Sequence, residues 1–251
     1  MTDRFDLTGK VALVTGGSRG MGREMVRAFA QAGADVVIAS RKMSACEKLA
    51  FEVESNTDRK ALPYSCHVGH WDQIEGLVDA AYKRFGKIDI LVNNAGKSPI
   101  YGNLVEVSEE LYDKVLAVNL KGPFRLMALV GTRMAEAGDG GSIINISSIG
   151  SIRPSPDIIP YSAAKAGLNA MTVGFAHAFG PNVRVNCIMC GPFFTDISKA
   201  WDMKAFNKRA KTYALGRGGE PQEVVGAALY FAGGASSFCT GAVLRLDGGT
   251  P

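Results

Sequence analysis

The sequence predicts an α/β fold in which a doubly wound parallel sheet of seven strands carries helices on both faces. Three observations predict it. Residues 10–15 form a continuous apolar run of strand length without polar alternation, as in a strand buried on both faces. The run breaks into Gly16-Gly17-Ser18-Arg19-Gly20-Met21-Gly22, and a helical pattern (Met25, Val26, Ala28, Phe29, Ala30) starts at once. A second apolar strand at 34–40 then completes a βαβ unit of about 30 residues, whose crossover should be right-handed.

The other elements follow in order. A polar amphipathic segment spans 45–56, and 61–66 reads as a short strand. A helix is expected over 72–85, then a buried strand at 88–92 that runs into Asn93-Asn94-Ala95-Gly96. Ser108 opens the next helix, with Glu109 and Glu110 suited to the positive end of its dipole. That helix passes through Asn119 and continues to about Ala137, disturbed near Gly122-Pro123. An asparagine inside a helix is a mild cost, so Asn119 calls for a reason. A turn at 138–141 leads into a strand at 142–148, and a helix follows Pro160. Residues 183–189 form a strand ending at Cys190-Gly191-Pro192. Residues 193–217 are irregular with a short amphipathic piece (Ile197, Trp201, Phe206), and read as a lid over a pocket. Pro221 takes the first position of a last helix, and 242–246 is the seventh strand, ending in Asp247-Gly248-Gly249.

Composition excludes several classes. The 251 residues are 47% apolar and 21% charged, ordinary for a soluble globular chain. The 30 glycines exceed the usual share of about 7%, which points to tight backbone approaches. The net charge of +4 comes from scattered Lys and Arg, with no basic stripe interleaved with aromatics, so no nucleic-acid partner is expected. No apolar run nears the roughly 20 residues that span a bilayer, so no membrane partner is expected. Residues 1–10 lack a signal core, and the five cysteines read as reduced thiols in a cytoplasmic protein. Cys187 and Cys190, three apart on a strand, point to opposite faces and cannot close a bridge without bending. Cys66, His67 and His70 lack a nearby fourth ligand, so no metal site is expected.

Two stretches carry chemistry. The glycine turn lets the backbone approach a pyrophosphate at the N–H groups that open the helix. Its interval, glycines at 16, 20 and 22, differs from that of long dehydrogenases. Where a carboxylate would hold a ribose 2′-hydroxyl, the strand tip reads Ser40-Arg41-Lys42, and Asp35 lies at the other end. An arginine accepts a 2′-phosphate with forked bonds that an acid would repel. NADP(H) is therefore expected over NAD(H), with Arg41 and then Arg19 as phosphate ligands. The second stretch is Tyr161-Ser162-Ala163-Ala164-Lys165, which sets a phenol and an ammonium one helical turn apart. A free phenol near pKa 10 is a poor acid at neutral pH, and a fixed ammonium is expected to pull it down.

With these residues assembled, the chain resembles the short-chain dehydrogenase/reductase family over nearly its full length. The resemblance rests on Thr15-Gly16-x3-Gly20-x-Gly22, Asn93-Asn94-Ala95-Gly96, Asn119, the Ile-Ser-Ser segment, Tyr161-x3-Lys165, Gly191-Pro192 with Thr195, and Asp247-Gly248-Gly249. Ser148 stands thirteen residues before Tyr161, as the family's catalytic serine does, and Ser147 does not. Two positions depart from the pattern: His67 stands where an acid that contacts adenine is usual, and Cys190 where a proline is.

The resemblance implies one dinucleotide-binding catalytic domain over 1–251, a lid at about 193–217 and a Rossmann-like sheet in the order 3-2-1-4-5-6-7. It implies a catalytic set of Asn119, Ser148, Tyr161 and Lys165. Ser148 and Tyr161 would hold the carbonyl oxygen while hydride passes from the nicotinamide and Tyr161 delivers a proton; the reverse is alcohol oxidation. Lys165 would hold the ribose and tune the phenol, and Asn119 would anchor a water linking Lys165 to solvent. Implied cofactor contacts are Gly16, Ser18, Arg19, Gly20, Met21, Gly22, Ser40, Arg41, Val68, Asn94, Ala95, Gly96, Tyr161, Lys165, Gly191 and Thr195. A homotetramer, or a dimer, through the long helices around Asn119 and Tyr161 is implied as well.

The substrate is less legible. Ile149, Ile158, Ile159, Met189, Phe193, Phe194, Trp201 and Met203 should flank the pocket, which favours a small or hydrophobic carbonyl compound as the partner. Some relatives reduce 3-oxoacyl groups on an acidic carrier protein. Glu136 and Asp139, and the lack of Lys or Arg in 177–183, weigh mildly against that alternative. A non-catalytic dinucleotide-binding regulator is the alternative of another class, disfavoured because all four catalytic positions are filled.

Overall fold

The computed structural model describes residues 4–196, 198 and 201–251. Strands β1 (Val11–Thr15), β2 (Asp35–Ser40), β3 (Ala61–Ser65), β4 (Ile90–Asn93), β5 (Gly141–Ser148), β6 (Val183–Cys190) and β7 (Val243–Leu246) form one sheet. Its order is β3-β2-β1-β4-β5-β6-β7 and every pairing is parallel, as the sequence implied. Parallel pairing brings all the strand ends to one edge. There the register sets Ser40 against Ser65, Asn93 against Asn145 and Ser148 against Cys190.

Helices cover both faces, which is why the strands read as unbroken apolar runs. On one face α1 (Gly20–Gln31), α2 (Met43–Asn56) and α8 (Val225–Ala232) pack Met25, Phe29, Leu49, Val53 and Phe231 onto Val36, Ile38 and Ile144. On the other, α3 (Trp71–Phe85), α5 (Gly122–Ala137) and α6 (Ile159–Phe179) pack Leu77, Leu126, Met127 and Leu168 onto Leu13, Leu91 and Ile143.

The long helix through Asn119 is not continuous. An α-helical piece, α4 (Glu109–Leu116), gives way to a π turn over Ala117–Lys121, and α5 begins at Gly122. The Gly122 N–H reaches back five residues to the Ala117 carbonyl. Pro123 has no N–H to return to the Asn119 carbonyl, so the α ladder cannot run through this point. The disturbance expected near Gly122-Pro123 thus falls on Asn119 itself, in the kind of turn that recurs at functional sites. Gly122 is required here, since a β-carbon would stand 2.2 Å from the Val68 carbonyl oxygen.

After β6, α7 (Met203–Ala210) is capped by Asp202, which accepts from the Lys204 and Ala205 N–H groups. Phe206, Ala210 and Tyr213 are buried and, with Phe194 and Trp201, make a small core of their own. The amphipathic piece therefore centres on Phe206; Ile197 lies outside the described residues. The last helix opens as one 3-10 turn, Pro221–Val224, before α8. Among the described residues no helix is long and apolar enough to cross a membrane.

Candidate active site

The glycine turn leaves β1 at the strand-end edge. Gly16 and Gly20 adopt φ of 62° and 53°, left-handed conformations that glycine adopts without strain. A β-carbon at Gly22 would stand 2.2 Å from the Gly16 carbonyl oxygen, so the turn closes on itself only with glycine there. Two neighbouring strands fix it. Thr15 Oγ1 accepts from the Asn94 and Ala95 N–H groups at 3.1 and 3.2 Å and donates to the Val92 carbonyl. Asn94 Nδ2 donates to the Thr15 and Gly16 carbonyls at 2.9 and 3.1 Å. Thr15 was absent from the expected contacts; a lone hydroxyl residue closing an apolar strand was its signal.

Helix α1 starts without a capping side chain, so none of its first N–H groups is taken by one. A dinucleotide pyrophosphate fits such a cradle, with its N–H groups and bare glycines. Beside it, Ser18 Oγ and Ser40 Oγ lie 2.9 Å apart. Arg41 is exposed, and its carbonyl accepts from Ser65 Oγ at 3.1 Å. Asp35 is turned to the far end of β2, where it accepts from the Lys60 N–H. The Arg19 guanidinium pairs with Asp196 at 2.8 Å, facing the segment after β6. His67 Nδ1 accepts from the Gly69 N–H at 3.1 Å, and its ring meets that of His70 edge to face. Burial, then the neighbouring His70, Arg41 and Lys97 charges, hold His67 below the usual histidine pKa.

Val68 follows, buried against α5. Met21 packs on the core, with its sulfur 3.9 Å from Cys190 Sγ, while Cys187 Sγ meets Asn169 in α6. The two thiols of the C-x-x-C therefore lie on opposite faces of β6, as the strand period requires. Gly191 abuts Asp247, and Gly20 faces Thr195.

The second half of the site gathers on β5 and α6. Ser148 ends β5, half-buried, and its hydroxyl accepts from the Gly150 N–H at 3.1 Å. The Ser148 side chain acts on the Tyr161 phenol, lowering its pKa against burial. Ser147 points the other way, its hydroxyl donating to the Lys165 carbonyl at 3.3 Å. Lys165 is 3% exposed; its Nζ donates to the Ile146 carbonyl at 2.7 Å and lies 5.7 Å from the Tyr161 ring centre.

Asn119 is fully buried in the π turn. Its side chain binds both main-chain groups of Lys97, accepting at 3.2 Å and donating at 2.8 Å, and donates again to the Val115 carbonyl. Gly96 stands between Asn119 and Lys165: a β-carbon there would lie 3.3 Å from Asn119 Oδ1 and 4.0 Å from Lys165 Nζ. The structure thus brings Asn119, Ser148, Tyr161 and Lys165 to one edge beside the glycine turn. Of the expected pocket residues, Ile158 joins Tyr161 in a crevice with Pro99, Tyr101, Leu111, Val115 and Pro160. Phe194 and Trp201 belong instead to the Phe206 core, and Ile159 and Met203 are exposed.

One expectation is reversed. Burial pushes the Tyr161 phenol up to about 12, opposed by Ser148. Burial also pushes Lys165 down to about 8. The groups that shift the phenol are its burial, Ser148 and Cys190, while Lys165 directs its bond to the Ile146 carbonyl. The sign of the consequence follows. Above about pH 8 the unfolded chain keeps a lysine proton that the folded chain loses, so stability rises with pH from there toward the ordinary lysine value of 10.5. Tyr161 acts oppositely between its ordinary 10.0 and about 12. We expect urea unfolding to show stability rising between about pH 8 and 9, above which the buried thiols of Cys66, Cys187 and Cys190, pushed up from 9.0, act the other way, and Lys165→Met to abolish that rise. An unchanged slope in the variant would count against it.

A family model described as Enoyl-(Acyl carrier protein) reductase matches residues 16–251. The chain is 37% identical to Dehydrogenase/reductase SDR family member 4 of Pongo abelii, covering 100% of this chain and 91% of that one. It is 37% identical to the 3-oxoacyl-[acyl-carrier-protein] reductase FabG of Thermotoga maritima, covering 97% and 98%. The crystal structure of an NADPH-dependent 3-quinuclidinone reductase from Rhodotorula rubra superposes with a TM-score of 0.91 at 31% identity, covering 98% and 93%. The chain belongs to the short-chain dehydrogenase/reductase family, and is an oxidoreductase acting between CH–OH and C=O with a nicotinamide dinucleotide.

Proposed function

We propose that this oxidoreductase is an NADP(H)-dependent carbonyl reductase that interconverts a ketone and a secondary alcohol on a small or hydrophobic substrate. The observation that carries the reading is the Ser148–Tyr161 hydroxyl pair at the end of β5, with a buried Lys165 one helical turn away. Bound dinucleotide supplies or takes the hydride. Ser148 and Tyr161 hold the carbonyl oxygen, and Tyr161 gives it a proton as charge develops there. Lys165 holds the ribose hydroxyls, and Asn119 sets the π turn beside it through its grip on Lys97. Gly16, Ser18, Gly20, Met21, Gly22 and Asn94 to Gly96 hold the pyrophosphate and neighbouring ribose, Val68 the adenine, and Gly191 and Thr195 the carboxamide.

The reading takes 1–251 as one catalytic domain with 193–217 as its lid, working in the cytoplasm. It takes the assembly as a tetramer or dimer through α4, α5 and α6, where Tyr112, Phe124 and Val173 are 44%, 43% and 43% exposed. NADP(H) is favoured because Arg41 stands at the tip of β2 with no carboxylate partner among the described residues, while Asp35 faces away.

A second reading, a 3-oxoacyl thioester on an acidic carrier, is favoured by one observation. Lys204, Lys208, Arg209 and Lys211, on α7 and the residue after it, are all exposed. If the substrate rides on such a carrier, kcat/KM for the carrier-bound thioester exceeds that for free ketones and falls steeply with salt. A ketone panel that outperforms the thioester at every salt concentration would retire this reading.

Two substitutions test the main reading. Tyr161→Phe should lower turnover at least about 100-fold while leaving dinucleotide affinity, read by fluorescence titration, unchanged. Turnover near wild type would refute the assignment. Arg41→Ala should weaken NADPH binding about tenfold or more and leave NADH binding unaltered. Equal losses for both cofactors would remove the 2′-phosphate from its role.

A further inference from the structure

Helix α6 carries Tyr161 and Lys165, yet it opens without a capping side chain: Ile158 is its N-cap and offers no acceptor. The acceptor comes from another part of the chain. Tyr101, in the connection after β4, accepts the Ile159 N–H at 2.9 Å and donates its own hydroxyl proton to the Pro156 carbonyl at 2.9 Å. Ile159 is the first residue of the helix, two before Tyr161. Pro160 between them has no N–H, so the Ile159 donor is one of few that can fix this end. Tyr101 also lines the crevice that Ile158, Pro160 and Tyr161 share with Leu111 and Val115 of α4.

A hydroxyl that gives one hydrogen bond and takes another from the same short segment fixes that segment in both distance and orientation. The alternative is packing alone, in which the ring would matter and the hydroxyl would not. Packing does not account for two bonds converging on the entry of one helix. We propose that Tyr101 is a positioning residue for the carbonyl chemistry: as a cap supplied from the loop after β4, its hydroxyl pins the first turn of α6 and so sets Tyr161 against Ser148. The proposal rests on the role given to Tyr161 above. It adds that part of the site's precision comes from a loop with no reacting group in it. A small displacement of a reacting group is enough to cost rate, so the effect belongs in turnover rather than in dinucleotide binding.

Tyr101→Phe keeps the ring and removes both bonds. Turnover should fall about three- to tenfold, the scale of one or two hydrogen bonds. Dinucleotide affinity by fluorescence titration should stay unchanged. Amide hydrogen exchange at residues 157–159 and 161 should quicken, with the sheet unaffected. Tyr101→Leu should reduce turnover no less than the phenylalanine variant does. Turnover unchanged in Tyr101→Phe, or impaired only in Tyr101→Leu, overturns the proposal. The two ideas fail separately: normal turnover in Tyr161→Phe removes the proton donor, whereas normal exchange at Ile159 in Tyr101→Phe removes the cap.

Discussion

A buried ammonium bonded to a strand carbonyl is the constraint on which this site depends. Lys165 Nζ holds the Ile146 oxygen at 2.7 Å, and only 3% of the residue reaches solvent. Burying such a group is costly unless it is hydrogen-bonded, and the cost shows as a pKa drawn down to about 8. The bond also sets the depth at which α6 lies on β5. Polar contacts beneath the helix add to it: Ser147 bonds the Lys165 carbonyl, and Asn145 links Thr172 of α6 to Asn93 of β4. Apolar side chains alone would let the helix slide along the sheet. Directional bonds at several levels give it one register, and Tyr161 inherits that register.

The same logic holds the other half of the edge. Asn94 donates two bonds to Thr15, from the end of β4 to that of β1, so the glycine turn and the segment leading to Gly96 are tied together. Gly96 meets Asn119, and Asn119 grips the main chain of Lys97 from the π turn. The turn exists because Pro123 cannot complete the α ladder, and Gly122 lets it pass beneath Val68. Dinucleotide cradle, π turn and Tyr–Lys helix are thus joined through short polar contacts at one end of a parallel sheet. A parallel sheet of this kind places its functional groups there because every strand delivers its last residue to the same side.

How much was legible beforehand differs residue by residue. Lys165 could be placed because its spacing from Tyr161 is a helix period that survives folding, and Ser148 because it stands at the family's thirteen-residue interval before Tyr161. Asn119 could be marked as anomalous, but its grip on Lys97 could not be foreseen, since the partners lie 22 residues apart in the chain. Arg19 was legible as a cation in the glycine turn, yet its pairing with Asp196 depends on where the loop after β6 returns. Tyr101 carried no signal at all: nothing near it in the chain marks a residue that caps a helix 58 positions downstream.

The chain's own order of residues determined the strands, the glycine turn and the one-turn spacing of phenol and ammonium, because each is a local pattern governed by backbone geometry and side-chain period. Only the tertiary structure decided the state of those groups. Whether an ammonium lowers a phenol's pKa depends on how much water both retain, and water is removed by distant parts of the chain closing over them. In this protein burial raises the Tyr161 phenol, with Ser148 opposing it, and lowers the Lys165 ammonium.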